Sequence, residues 1–207
     1  MTPTRNLALM FVAIASIASA GAYAAIQETQ GLPSAQSEGV SMLGHVTLTL
    51  VGADGEIKQY VQADNAVMAD GKDGLAELTF GTTDCASCTG STFSNIGIGT
   101  GTGSESPTSN TDLTTPLAAG NCNRVAASSI SSTGTDTNVV TLSASFSDAA
   151  SGGDRADANC ATGVTEAGLF DSATDATGIM FSSDTFSSVT IGAGDVLTVE
   201  WELTFTG

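Results

Sequence analysis

Residues 197–205 read Leu-Thr-Val-Glu-Trp-Glu-Leu-Thr-Phe. Apolar side chains stand at Leu197, Val199, Trp201, Leu203 and Phe205, with a polar residue at every position between them. A helix would scatter these five around its circumference, whereas a strand collects them on one face. The stretch therefore predicts a strand with one face in a core and the other in water, as antiparallel sheets commonly have. The pattern recurs near the start of the chain, where Val40, Met42, Gly44, Val46, Leu48 and Leu50 alternate with Ser41, His45, Thr47 and Thr49. Val140, Leu142, Ala144 and Phe146 repeat it against Thr141, Ser143 and Ser145.

Working outward, Gly52-Ala53-Asp54-Gly55 reads as a hairpin loop leading to a second strand through Ile57, Tyr60 and Val61. Phe93, Ile96 and Ile98 lie in a glycine-laden strand. Val125–Ile130, Val164–Phe170 and Ile179–Phe186 follow, with Val189 and Ile191 continuing the pattern. Residues 64–80 are the one helical stretch, with Asp70 as cap, Leu75, Ala76 and Leu78 as apolar stripe, and Gly81 as stop. Residues 99–121 and 148–160 read as long polar loops. About eight short strands and one short helix predict a single all-β, mainly antiparallel domain over residues 40–207. A β-sandwich or jelly-roll-like arrangement is expected, with Trp201 the largest core residue.

The chain has 207 residues, of which 41% are hydrophobic, 13% charged and 5% aromatic. Five Lys and Arg stand against 22 Asp and Glu, a formal charge of −17. So few cations cannot neutralise a phosphate backbone, which excludes nucleic acid as a main partner. An anionic membrane surface is disfavoured for the same reason.

Residues 1–24 read as a cleaved signal helix. Arg5 supplies the basic start, Leu7–Ala18 the apolar run and Ala22-Tyr23-Ala24 the small-residue cleavage site. Residues 25–39 are polar and read as a flexible arm. No later segment is apolar and long enough to predict a membrane span. The mature product is expected outside the cell or at its surface.

In that oxidising setting Cys85, Cys88, Cys122 and Cys160 favour disulfides. Three connectivities are open. Cys85–Cys88 with Cys122–Cys160 is preferred, because the near pair closes with little loss of chain entropy. Cys85-x-x-Cys88 also has the spacing of half a zinc site, but Cys122 and Cys160 stand alone with no histidine nearby.

Catalytic patterns were sought in turn. Gly97, Gly99, Gly101 and Gly103 recur at period two, so none completes a G-x-G-x-x-G motif. Glycine at alternate strand positions instead lets another backbone or side chain lie close to the sheet. His45 is the single histidine and there is no G-x-S-x-G elbow, so a Ser-His-Asp hydrolase is disfavoured. Glu200 and Glu202 share a strand face about 7 Å apart, a spacing an inverting glycosidase could use. With no aromatic platform for a sugar beside them, they read as solvated carboxylates that discourage edge aggregation. Asp70, Asp73, Asp148, Asp154, Asp157, Asp171 and Asp175 fall in loops or at the helix start, which leaves calcium open as a ligand without assigning its site.

The succession Asp64-Asn65-Ala66-Val67, Asn95-Ile-Gly-Ile-Gly-Thr-Gly-Thr102, Asn123-Arg-Val125, Val164-Thr-Glu-Ala-Gly-Leu-Phe-Asp171 and Leu197–Phe205 resembles a family of small β-rich tail- or virion-associated proteins of phages and related prokaryotic elements. The similarity spans roughly residues 46–206. It implies a structural or attachment component without known catalytic residues. The export signal and four cysteines depart from that family and point to the cell exterior. The expectation is a non-enzymatic surface protein whose partners are copies of itself, with residues 25–50 or the terminal strand donated to a neighbour's sheet. The alternative is a monomeric adhesin or fibre-tip module whose long loops contact a glycan or receptor.

Overall fold

The computed structural model describes residues 41–81, 92–102, 111–117, 122–132, 138–148, 155–157, 160 and 162–206. The signal segment, the arm, Cys85, Cys88 and Asp154 lie outside them. Ten strands and a helix follow in order: β1 (Ser41–Val51), β2 (Ile57–Val67), α1 (Ala69–Phe80), β3 (Asn95–Gly99), β4 (Val125–Ala126), β5 (Ser129–Ser132), β6 (Val139–Ser147), β7 (Arg155–Ala156), β8 (Gly163–Phe170), β9 (Met180–Thr190) and β10 (Val196–Thr206). The all-β, mainly antiparallel expectation is met.

The strands form one hydrogen-bonded path, β4-β3-β8-β9-β2-β1-β10-β6-β5, with β7 added in parallel to β6. At its centre β1 and β10 pair without a break from Ser41 opposite Thr206 to Val51 opposite Val196. The path curls at β2, whose Gly44-to-Val51 partners lie on β1 while Ala66 and Val67 pair with Ser183 and Ser182 of β9. Beyond that point the chain has switched neighbours. The curl is tight enough to bring the two ends of the path together: Ala127 and Ser128 alone separate β4 from β5. Three Cα steps span at most about 11 Å. This connector is itself bonded on both sides, Ala127 N–H to Ser94 O and Ser128 N–H to Ser143 O. The predicted Val125–Ile130 strand is thus two strands, one at each end of the sheet.

The curled sheet encloses the core. Val46, Leu48 and Leu50 of β1, Phe146 of β6 and Val199 and Trp201 of β10 pack in one cluster with Ile96 and Ile98 of β3 and Val164 and Leu169 of β8. Burying each such side chain contributes about 1.5–3 kcal/mol. Along β1 and β10 the buried and solvated positions alternate as the sequence predicts. On the β3–β8–β9 side both faces are covered. Every residue of β3 is buried, and Met68, Leu113, Phe170 and Met180 make a second, smaller cluster.

The helix departs from expectation at its start and along its face. Residues 64–67 belong to β2, because their backbone is engaged by β1 and then β9. The helix runs from Ala69, its N-cap is Met68, and Asp70 sits in the first turn without capping it. Gly81 does end it, with φ of 67°. Of the expected stripe of Leu75, Ala76 and Leu78, Leu75 packs partly buried against the core, but the fully buried positions of the helix are glycines. Leu78 and Phe80 are exposed, whereas Gly71 and Gly74 are buried. A Cβ at residue 71 would fall 2.6 Å from the Cα of Phe181, so only glycine allows the helix to reach β9. This sets up a test between two effects. Helix propensity favours Ala over Gly by about 1 kcal/mol, but the clash is with backbone that cannot rotate away, and overpacking costs about 1–3 kcal/mol. Gly71→Ala is expected to speed amide hydrogen exchange in α1 about tenfold while β1 and β10 keep their protection; unchanged exchange in α1 would contradict the packing described.

Candidate functional site

Three of the quoted stretches, 95–102, 123–125 and 164–171, converge in space. β3 pairs with β8 from Asn95 opposite Phe170 to Gly99 opposite Glu166, which sets Gly97 against Gly168. Over this bare patch lie the Phe170 ring and the Arg124 side chain. A Cβ on Gly97 would stand 3.1 Å from both Arg124 Cγ and Phe170 Cε2, and one on Gly168 would stand 2.8 Å from Phe170 Cε2. One on Gly101 would stand 2.7 Å from Glu166 Cδ. The alternate glycines therefore do what their spacing predicts, admitting close neighbours to the sheet. Gly103 lies outside the described residues.

Arg124 is 3% exposed, so its charge is met by protein groups. Nη1 donates to the carbonyls of Thr177 at 2.8 Å and Thr174 at 3.2 Å, and Nη2 donates to Asp112 Oδ1 at 2.8 Å. The guanidinium carbon stands 3.5 Å from the Phe170 ring centroid, a cation–π contact. One side chain thus binds three pieces of chain: β8 through Phe170, the 171–179 turn through its carbonyls, and the 111–117 segment through Asp112. The same turn is closed from within by Ile179 N–H donating to Asp171 Oδ1 at 2.8 Å.

Glu166 is the acidic counterpart and is 2% exposed. Its carboxylate accepts three backbone N–H bonds, from Thr115 at 2.7 Å, Thr114 at 2.9 Å and Gly101 at 3.0 Å. Hydrogen bonds to a charged group contribute about 1.5–3 kcal/mol each. Glu166 fastens residues 101 and 114–115 onto β8, and the adjacent Thr165 donates to Gly101 O at 2.6 Å. Both charged groups spend their hydrogen-bonding capacity on the chain itself, which is the geometry of a lock. Arg124 and Glu166 lie within the stretches 123–125 and 164–171, whose local sequence assigns neither a role. The available signal was a scarce cation placed in an acidic chain, beside motifs spaced too far apart to link.

The residues that were singled out as sites are dispersed. His45 sits on the outer face of β1, its Nδ1 3.1 Å from Asp64 Oδ1, and is paired across β10 with Glu202. Glu200 and Glu202 are exposed. They do not guard an edge as expected, because β10 lies between β1 and β6 in the interior of the sheet. Cys122 and Cys160 are buried and joined in a disulfide across a sequence separation of 38. Closing a loop of that length restricts the unfolded chain by about 4 kcal/mol. Of the acids considered for calcium, Asp171 holds the Ile179 amide, Asp148 Oδ1 accepts from Gly194 N–H at 3.3 Å, and Asp175 lies 3.9 Å from Arg124 Nε. Among the described residues no three His, Cys, Asp or Glu side chains gather closely enough to hold a metal.

A second buried acid secures the β9–β10 turn. Asp195 Oδ1 receives Lys58 Nζ at 2.7 Å, and Oδ2 accepts from Gly192 N–H. The Lys58 hydrogen bond holds the Asp195 carboxyl below the usual aspartate value, and the same bond raises the lysine above its own.

No family model, curated protein or solved structure matches the chain.

Two measurements test these locks. Arg124→Leu removes the guanidinium donors to Asp112, Thr174 and Thr177 and is expected to cost about 3–5 kcal/mol in urea unfolding. Arg124→Lys recovers little of it, since one ammonium cannot fork to both segments and lie on the ring. For Asp195, a lowered folded value means its contribution is present above the unfolded carboxyl pKa and is lost as pH falls through the folded one. The stability gap between wild type and Asp195→Asn should therefore shrink as pH falls below 3.8, the ordinary aspartate value. A gap that stays constant there would show that Asp195 does not contribute as an anion.

Proposed function

We propose that the protein is a secreted, non-enzymatic structural subunit of the cell surface that associates with copies of itself along an open sheet edge. The observation that carries the reading is β5. It pairs with β6 on one side, has no second neighbour among the described residues, and all four of its residues are exposed, Ile130 at 57%. An edge strand with free N–H and C=O groups is a template for another strand. Its serines carry no charge or proline that would repel one.

The topology changes how association would proceed. β1 and β10, expected as donated strands, are each paired on both sides, so neither can be lent without dismantling the centre of the sheet. Of the expected donor segment, residues 25–40 are left. The buried charges also favour a scaffold over a catalyst, because Arg124 and Glu166 are occupied by main-chain groups and Asp112. Export rests on the reading of residues 1–24, and a place among tail- or virion-like attachment proteins rests on the motif resemblance.

Electron microscopy and sedimentation of the exported protein test the reading. Polymers or higher oligomers are expected, and Ser131→Pro, which removes an N–H from β5, is expected to reduce them at least tenfold. Monodisperse monomers across salt and calcium concentrations would overturn self-association and favour the loop-borne adhesin.

A further inference from the structure

Where β1 begins, the sheet and helix bound a cleft of about 790 Å³ lined by Ser41–Gly44, Asp64, Asn65, Val67 and Lys72. Asn65 stands opposite Gly44 in the β1–β2 ladder, and its carboxamide lies across that glycine. Both Oδ1 and Nδ2 are shielded from solvent, and among the described residues neither meets a hydrogen-bond partner. A buried carboxamide that is wholly unpaired is rare, because desolvation is not repaid. It offers a donor and an acceptor side by side, which is the complement of one peptide group in an extended chain.

We propose that this cleft receives an extended segment of a second copy of the chain, residues 25–40, with the Asn65 carboxamide turning off Gly44 to pair one of its peptide groups. Forty residues precede Ser41, which stands on the cleft wall. Residues 25–40 carry Glu28 and Glu38 and no Lys or Arg. Lys72, one of five cations in a chain of charge −17, is exposed in the cleft and is the group that complements them, while Asp64, on the same lining, is engaged by His45. Ile26, Leu32 and Val40 supply apolar side chains to meet Met42 and Val67. The proposal rests on the self-association reading but uses a different face from β5, so the two can fail separately.

The test uses the exported chain with a photo-reactive benzoylphenylalanine at Met42, mixed as heavy-isotope and ordinary protein. Mass spectrometry is expected to find heavy-to-light cross-links into residues 25–40. Asn65→Leu should lower their yield about tenfold. Lys72→Glu, at an exposed position that leaves the core intact, should lower it further as salt is reduced, and serves alone if Asn65→Leu fails to fold. Ser131→Pro should leave the cross-links in place even where polymers disappear. Cross-links confined to one chain, to other residues, or to a small co-purifying molecule would overturn the proposal. Polymers that form without any heavy-to-light cross-link at this site would overturn it while leaving the self-association reading standing.

Discussion

A guanidinium withdrawn from water must find other dipoles, and the way Arg124 finds them organises one side of the molecule. Its partners come from stretches near residues 112, 170 and 174–177, which sequence alone holds far apart. Removing the charge would leave a cavity ringed by carbonyls and a carboxylate, so the turn, the 111–117 segment and the Phe170 ring stand or fall together. Glu166 does the converse with three N–H donors. Cation and anion are not paired to each other. Arg124 is met by main-chain carbonyls together with Asp112, and Glu166 by main-chain N–H groups, and this holds Gly-, Ser- and Thr-rich segments as fixed parts of the fold.

The sheet supplies the frame on which those locks close. Its central ladder, β1 with β10, joins the two ends of the described chain, and its outermost strands, β4 and β5, are joined through Ala127 and Ser128. A path whose ends are tied so closely must curl, and the curl is what lets one apolar face become a core. The Cys122–Cys160 bond fixes the entry to β4 against the segment that leads into β8.

Much of this was legible in the sequence, for reasons that are local. Alternation at 41–50, 140–146 and 197–205 reports which face is buried because a strand's side chains have period two whatever its neighbours are. The period-two glycines announced a close approach, and Arg124, Phe170 and Glu166 are what approaches. Other features were hidden because they depend on distant partners. Alternation says nothing about which strand lies alongside, so β1 and β10 looked like edges able to swap when they are interior. Residues 64–67 looked like the start of a helix because nothing nearby shows that Ser182 and Ser183 will pair with Ala66 and Val67. The helix's apolar stripe shows Leu75, which does pack, but not its closest approach, which is made by glycines whose contribution is the absence of a side chain.

The pairing of Ser41 with Thr206 has a mechanical corollary. Both ends of the β1–β10 ladder's outer rung lie at one pole, so tension applied through them would peel the ladder open rung by rung instead of shearing all its bonds at once. A body joined to its surroundings at that pole yields at low force, whereas one gripped along its flank resists.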